Sequence, residues 1–226
     1  MTKTYEVEIK SLLGSKEIAD QLLERMKERA DFSHGKTGSQ LNHYFLYTPD
    51  DASGLLELTS QFLPDHAQAE FSDQLTQAKK ISIRTRQADG TVYFVAKLSV
   101  GDDSSANGVL RHEIQEEVDM TLDELDRALL DAGLEYQAKW SRDRREFKLG
   151  EVVVTIDKNA GYGYLAEFEI ETEDPHNLDQ VRDQIKDLMN ELGVKELSQD
   201  RLDRMFQYYN TNWQDYYGTE DIFTIE

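Results

Sequence analysis

The chain has 226 residues and no cysteine, which excludes disulfide bonds, thiolate metal sites and cysteine nucleophiles. Its 45 acidic residues outnumber its 25 lysines and arginines, and the formal net charge of −20 disfavours duplex DNA or RNA as the main partner. No stretch approaches the roughly 18 to 20 apolar residues of a membrane helix, and the first residues lack the apolar region of a secretory signal. We therefore expect a cytoplasmic protein with no nucleic-acid or membrane partner.

The first part of the chain is predicted to combine strands of alternating polarity with one long helix. In residues 5–10, apolar and charged side chains alternate, which is the period of a β-strand. A Ser15 cap followed by an apolar stripe predicts a helix over 15–31. The other elements predicted here are a turn at 35–38, an aromatic strand over 40–48, an irregular or partly helical insertion over 50–78, and a hairpin of 80–87 and 91–100 around Asp89-Gly90.

The second part contains helices that begin and end at clear sequence signals. Thr121 and Glu124 form a capping box, and Gly133 ends the helix predicted over 121–132. The other predicted elements are helices over 177–192 and 198–209, strands over 109–118, 139–149, 152–158 and 161–171, and a polar loop over 101–108. No linker rich in Pro, Gly or Ser separates them. We therefore expect one domain over 1–209 and a polar, aromatic tail over 210–226.

Almost every predicted strand has one apolar face and one charged face. For a single strand, the ordinary interpretation of a charged face is contact with solvent. The charged residues recur strand after strand, however: Glu6, Glu8 and Lys10; Arg84 and Arg86; Lys97; Arg111 and Glu113; Arg142 and Arg144; Asp157; and Glu167, Glu169 and Glu171. A sheet of about eight such strands that closes on itself places helices outside and charges in its lumen. The expected fold class is therefore α+β, with a closed β-barrel or tunnel and helices packed outside.

Charges in such a lumen need partners, because desolvating an ion is costly. Six bases would surround a polyanion, with arginines binding phosphate oxygens in pairs: Lys10, Arg84, Arg86, Lys97, Arg142 and Arg144. The carboxylates are too clustered to stay ionised unaided, and they would bind Mg²⁺ or Mn²⁺: Glu6, Glu8, Glu167 and Glu169, with Glu113 and Asp157. Positive charge on phosphate oxygens together with a metal is what phosphoryl transfer requires.

The ordered set of these motifs resembles the CYTH family, also called triphosphate tunnel metalloenzymes. The family's N-terminal ExExK is similar to residues 6–10 (EVEIK). The other similar segments follow in the family's order: 40–45, 83–86, 96–98, 111–113, 142–147, 156–157 and 166–171. Two positions depart from the family pattern, since Arg142 stands for Lys and Phe147 for Tyr. The resemblance covers roughly residues 5–205.

The resemblance implies an eight-stranded antiparallel tunnel and a metal-dependent reaction of a triphosphate. Members hydrolyse inorganic triphosphate, thiamine triphosphate or nucleoside triphosphates with Mg²⁺ or Mn²⁺, or cyclise ATP. It implies metal binding by Glu6, Glu8, Glu167 and Glu169, with Glu113 and Asp157 as supporting acids. It implies catalysis and triphosphate binding by Lys10, Arg84, Arg86, Lys97, Arg142 and Arg144, with Arg111 as a further substrate ligand.

Three alternatives to a triphosphatase stay open from the sequence: a class IV-type adenylate cyclase, a non-catalytic polyphosphate- or nucleotide-binding protein, and a structural barrel whose charged faces are solvated. The His-Phe pair common in the family's cyclases is missing before residue 6, which disfavours the first. The family's C-terminal lysine has no clean match, and Lys195, Arg201 and Arg204 are its candidates. The five histidines lack metal-ligand spacing and are expected to be surface or packing residues. The sequence leaves the particular triphosphate open, and it allows a monomer or a homodimer.

Overall fold

The computed structural model describes residues 5–78, 80–99, 111–174 and 176–225, with Lys80, Ser99, Arg111 and His112 described by their backbone alone. Within these ranges lie eight strands: β1 (Tyr5–Gly14), β2 (Phe32–Leu46), β3 (Lys80–Ala88), β4 (Thr91–Ser99), β5 (Arg111–Glu117), β6 (Glu135–Leu149), β7 (Val152–Asn159) and β8 (Gly163–Thr172). The α-helices of the same ranges are α1 (Lys16–Lys27), α2 (Ala52–Thr59), α3 (Asp65–Gln77), α4 (Leu122–Asp131), α5 (Leu178–Glu191) and α6 (Gln199–Tyr216). The predicted loop 101–108 lies outside the described residues.

The strands form one eight-stranded antiparallel sheet in the order β1-β8-β7-β6-β2-β3-β4-β5. Together with the helices this confirms the predicted α+β class. Among the described residues, β1 and β5 stand at the two ends of the strand order, so closure into a barrel stays a prediction. None of the described helices combines the length and the apolarity that crossing a membrane requires.

The contacts divide the chain into two compact units. The terminal unit contains residues 5–39 and the described part of 142–225, and the central unit contains residues 40–99 and 111–141. The predicted single domain over 1–209 with a tail over 210–226 stays a prediction.

The core of the terminal unit lies on the apolar face of β1, β8 and β7. Val7, Ile9 and Phe168 are buried there, as strand period requires for the residues between the charged ones. Helices α1 and α5 cover this face with Leu22 and Ile185. The opposite face of the same strands therefore carries the charged side chains.

The central unit is built in the same way from β3, β4 and β5. A two-residue turn joins β3 and β4, and Asp89 and Gly90 have the positive φ values, 50° and 92°, that a tight hairpin turn needs. The predicted capping box of α4 is present, since the Glu124 N–H donates to the Thr121 hydroxyl oxygen and the Thr121 N–H donates to the Glu124 carboxylate. The insertion over 50–78 forms α2 and α3, and Phe71 of α3 is fully buried against Phe94.

Several sequence-based boundaries were wrong. Strand β1 continues to Gly14 past residue 10, helix α1 ends at Lys27 rather than at 31, and strand β6 begins at Glu135 rather than at 139. The turn predicted at 35–38 is part of β2, because a glycine there serves close packing and not a change of direction: a Cβ on Gly35 would lie 2.7 Å from the Glu146 Oε1 atom of β6. Helix α6 extends to Tyr216, past the predicted end at 209, with a kink at Asn212. Tyr209, at the predicted end, is fully buried, and the half-buried Trp213 and Tyr216 continue the apolar stripe beyond it.

Candidate functional site

Three carboxylates meet on the polar face of the terminal unit. Glu6 and Glu8 are alternate residues of β1, and Glu8 is the direct cross-strand partner of Glu169 in β8. One carboxylate oxygen from each of Glu6, Glu8 and Glu169 lies within 4.8 Å of the others. We call these three residues the acid cluster. Strand period and antiparallel register are sufficient to bring the three together.

The acid cluster is short of positive charge. Burial raises the pKa of Glu169 to about 7, and the neighbouring charges of Glu6, Glu171 and Glu167 add to this rise. Lys10 lies nearby and its Nζ contacts Glu8. Carboxylate oxygens at this spacing are the donors that hard divalent cations prefer, so the residues fit Mg²⁺ or Mn²⁺.

Two further acids of this face, Asp157 and Glu167, are bound to cations. Arg144 donates to both carboxylate oxygens of Asp157, from Nε at 2.8 Å and from NH2 at 2.7 Å, and its NH2 group also lies 2.7 Å from Glu167. Arg142 lies 3.2 Å from Asp157, and Lys10 lies 3.3 Å from Glu167. Burial favours the neutral form of Glu167, but the charges of its three cationic neighbours outweigh burial and lower the pKa below its ordinary value.

The polar face of the central unit has the opposite balance, with three cations around one acid. Lys97 lies 2.7 Å from Glu113, Arg84 lies 3.3 Å from it and Arg86 lies 4.0 Å from it. Burial tends to raise the pKa of Glu113, but the charges of Lys97, Arg84 and Arg86 lower it overall. The Glu113 carboxylate is therefore ionised and partly neutralises these cations.

Neutral side chains orient the two arginines of β3. Arg84 donates to the Tyr44 hydroxyl at 2.8 Å, and its guanidinium lies 5.4 Å from the Tyr44 ring centroid. Arg86 donates from Nε to Asn42 at 2.9 Å and from NH1 to Gln115 at 2.5 Å. Sequence reasoning gave Tyr44 and Asn42 no role. The signal that could have found them is the β2–β3 register, which pairs Tyr44 with Arg84 and Asn42 with Arg86.

The structure thus separates the predicted acids of the site into two groups. The acid cluster contains three predicted metal ligands, whereas Asp157, Glu167 and Glu113 lie against arginines and lysines. The side chain of Arg111 lies outside the described part of the chain. Two candidates for a C-terminal cation have partners near the C-terminus: Arg201 donates to the Ile225 carbonyl oxygen and Arg204 pairs with Asp200, while Lys195 is exposed.

The described strands form an antiparallel eight-stranded α+β fold whose polar faces carry carboxylates beside lysines and arginines. The family model of the CYTH domain matches residues 4–202, and the chain belongs to the CYTH family. No match was found among curated proteins.

Solved structures of low sequence identity share the fold. The PH1819 protein of Pyrococcus horikoshii is 20% identical with a TM-score of 0.57, and the match covers 86% of this chain and 93% of that one. A candidate adenylate cyclase of Vibrio parahaemolyticus is 20% identical with a TM-score of 0.56, over 86% of this chain and 94% of its own. A candidate adenylyl cyclase of Hippeastrum, described as having a dominant triphosphatase activity, is 17% identical with a TM-score of 0.53, over 90% and 95%.

Proposed function

We propose that this protein is a triphosphatase that depends on Mg²⁺ or Mn²⁺ and cleaves the terminal phosphoanhydride bond of inorganic triphosphate, thiamine triphosphate or a nucleoside triphosphate. One observation carries the proposal: carboxylate oxygens of Glu6, Glu8 and Glu169 converge within 4.8 Å of one another, and they do so although Lys10 contacts Glu8. Membership of the CYTH family and the triphosphatase activity described for the Hippeastrum relative support the same reaction.

The acid cluster is the proposed metal site. Its three carboxylates would hold the cation, which would neutralise charge on phosphate oxygens and polarise the phosphorus centre. Glu167 remains a predicted metal ligand, and Glu113 and Asp157 remain predicted supporting acids. In this proposal their direct contribution is to hold the arginines and lysines in place.

The proposed phosphate ligands are the cations of both polar faces. Lys10, Arg142 and Arg144 belong to the terminal unit, and Arg84, Arg86 and Lys97 belong to the central unit. Arg84 is 7% exposed, and its Nε–H has no acceptor among the described residues. A buried donor without an acceptor is costly, and a phosphate oxygen would satisfy it. These cations would stabilise the charge that develops on the phosphate oxygens while a carboxylate orients the attacking water.

The test is product analysis with purified protein. Phosphate release is measured from tripolyphosphate, thiamine triphosphate and ATP, each with Mg²⁺, with Mn²⁺ and with EDTA. We expect release that requires a divalent cation and that Glu8→Gln lowers at the same cation concentration, while Glu151→Gln, a change of an exposed acid in the β6–β7 turn, acts like wild type. Folded protein that releases no phosphate from any substrate would contradict the proposal.

The same assay distinguishes the alternatives. Cyclic AMP with pyrophosphate from ATP identifies an adenylate cyclase. Thermal stabilisation by tripolyphosphate without turnover identifies a binding protein. The closed barrel, the cytoplasmic location and the monomeric or homodimeric state belong to the proposal as predictions.

A further inference from the structure

A buried polar cluster lies behind the central unit's polar face, away from the proposed ligands. Its centre is Asp126 of α4, which is 3% exposed and accepts hydrogen bonds from three sides. His43 Nδ1 lies 2.6 Å from Asp126 Oδ2, the Thr85 hydroxyl lies 2.6 Å from Oδ1, and the Tyr136 hydroxyl lies 2.6 Å from Oδ2. Lys139 lies 3.6 Å from the same carboxylate. We call these five residues the Asp126 cluster.

The cluster joins the two strands that carry the arginine-orienting pairs. His43 of β2 and Thr85 of β3 are direct register partners. The pairs on either side of them are Asn42 with Arg86 and Tyr44 with Arg84, whose side chains point to the opposite face. The Asp126 carboxylate therefore links β2 to β3 at the His43–Thr85 position, which lies between Arg84 and Arg86 along β3.

A carboxylate is not needed here for packing. Asp126 lies on the apolar stripe of α4, where Leu122, Leu125 and Leu129 are buried and pack on the same sheet face. A well-packed apolar residue in such a place is often as stabilising as a buried charge, or more so. Burial tends to raise the pKa of Asp126, but the hydrogen bonds from His43, Thr85 and Tyr136 lower it overall, so the charge is kept.

What the carboxylate supplies is geometric specificity. A shift of β2 by one residue against β3 would turn every one of its side chains to the other face of the sheet, and Asn42 and Tyr44 would leave Arg86 and Arg84. His43 and Thr85 can both bind Asp126 in one register, the one that places these pairs on the polar face. A displacement of β2 against β3 by less than one residue would keep the faces but change the directions of the hydrogen bonds from Arg84 to Tyr44 and from Arg86 to Asn42.

We propose that Asp126 is a positioning residue, which fixes β2 against β3 through His43 and Thr85 and thereby sets the directions in which Arg84 and Arg86 present their guanidinium groups to phosphate. This inference rests on the proposed function, because it assigns the two arginines to triphosphate binding. Asp126, His43 and Thr85 touch no substrate themselves.

The test compares two hydroxyl deletions that break hydrogen bonds to the same carboxylate. Thr85→Val removes the bond from β3 and keeps the side-chain shape, while Thr85→Ser keeps the hydroxyl. Tyr136→Phe removes a bond from β6 and leaves the link between β2 and β3 intact. We expect Thr85→Val to raise KM for tripolyphosphate on the order of tenfold, since misplacement of ligand-binding groups by about 1 Å costs up to a hundredfold. Thr85→Ser and Tyr136→Phe should stay within about twofold of wild type.

Stability is measured beside activity to separate positioning from folding. Leu129→Ala, a core deletion in α4 three residues after Asp126, provides a variant of lowered Tm that keeps every hydrogen-bonding group of the cluster. Equal KM for Thr85→Val and Leu129→Ala would overturn the proposal, as would a KM for Tyr136→Phe as high as that for Thr85→Val. Asp126→Asn is a more drastic variant that removes the charge itself. If it fails to fold, the comparison of Thr85→Val with Thr85→Ser still tests the proposal.

A readout without turnover distinguishes failure of this inference from failure of the proposed function. The Nε–H signals of Arg84 and Arg86 in NMR spectra, assigned with Arg84→Lys and Arg86→Lys, should shift in Thr85→Val and stay in place in Tyr136→Phe. Unshifted signals in Thr85→Val overturn the positioning role. Wild-type protein that neither hydrolyses tripolyphosphate nor is stabilised by it, with shifted signals, overturns the proposed function and leaves the positioning of the arginines supported.

Discussion

The polar faces of the terminal and central units are built from similar strands but carry opposite charge balances. In the terminal unit, six carboxylates stand with three cations: Glu6, Glu8, Asp157, Glu167, Glu169 and Glu171 against Lys10, Arg142 and Arg144. In the central unit, one carboxylate stands among three cations, Glu113 with Arg84, Arg86 and Lys97.

The difference teaches which ligand each face lacks. An excess of acid is relieved by a cation, and burial together with neighbouring acids raises the pKa of Glu169 although Lys10 contacts Glu8. An excess of base is relieved by an anion, and the buried Nε–H of Arg84 is a donor without an acceptor in the described residues. We therefore expect the face of the terminal unit to bind a metal ion and the face of the central unit to bind phosphate. Each expectation can be tested by itself.

The largest expected effect comes from removing the arginine that binds two acids at once. Arg144→Ala leaves Asp157, which is 1% exposed, with Arg142 as its remaining cation among the described residues. We expect the free energy of unfolding to fall by about 3 kcal/mol, because a buried charge loses its best partner. Activity should fall on the order of a hundredfold to a thousandfold with the loss of a phosphate ligand. Urea unfolding and phosphate release measure the two effects, and Arg145→Ala, one residue along β6, is the control. Wild-type stability in Arg144→Ala would show that Asp157 does not need this partner.

Two variants, one on each face, test whether the terminal face binds the metal ion and the central face binds phosphate. Glu8→Gln, in the acid cluster, should raise the Mg²⁺ concentration for half-maximal activity at least about tenfold, as loss of groups around a metal does. Arg84→Lys, in the central unit, should raise KM for tripolyphosphate about tenfold, because an ammonium cannot replace a planar guanidinium fork. Each variant should leave the other constant within about twofold of wild type. Equal effects of both variants on both constants would contradict the comparison.

The acid cluster should also leave a signature in the pH dependence of stability. The pKa of Glu169 is raised from 4.5 to about 7 in the folded protein. Between these pH values the folded state holds a proton that the unfolded state has lost, so the contribution of this group to stability is complete below 4.5 and declines as the pH rises to about 7. In EDTA, Glu169→Gln should therefore match wild type near the low end of this range and melt at a higher temperature above its high end.

Added Mg²⁺ sharpens this test. A bound cation replaces the proton, so it should raise the Tm of wild type at high pH and remove the advantage of Glu169→Gln. Thermal melts with EDTA or Mg²⁺ across this pH range measure the difference. A constant Tm difference between the two proteins at every pH would show that Glu169 is not the titrating group.

The smallest expected effect separates two roles for Glu113. If Glu113 serves as the counter-ion of Arg84, Arg86 and Lys97, Glu113→Gln makes this face more cationic. It should then strengthen inhibition by free phosphate about two- to threefold and slightly lower the Tm of the free protein. A raised Mg²⁺ requirement with unchanged phosphate inhibition would instead assign Glu113 to the metal, as the sequence-based interpretation does.

Much of the fold and the membership of each polar face could be predicted from sequence. Side chains alternate along a strand, so residues 6–10 and 83–86 already indicate which neighbours share a face. Glycine was less informative, because Gly35 fits both a turn and a close approach of Glu146 from a distant strand. Asp126 was overlooked for a related reason, since one polar residue on a leucine stripe gives no sign of the partners that satisfy it.

The sequence by itself determined that acids and bases alternate with apolar residues on these strands, because side-chain direction in a strand is a local property of the backbone. Only the tertiary structure decided which acids have a cation beside them. Glu167 and Glu169 are two residues apart on one strand face, yet Arg144 and Lys10 lower the pKa of the first, while burial and neighbouring acids raise the pKa of the second. The energy of a charge depends on the distance to partners from other strands, and strand pairing and packing set that distance.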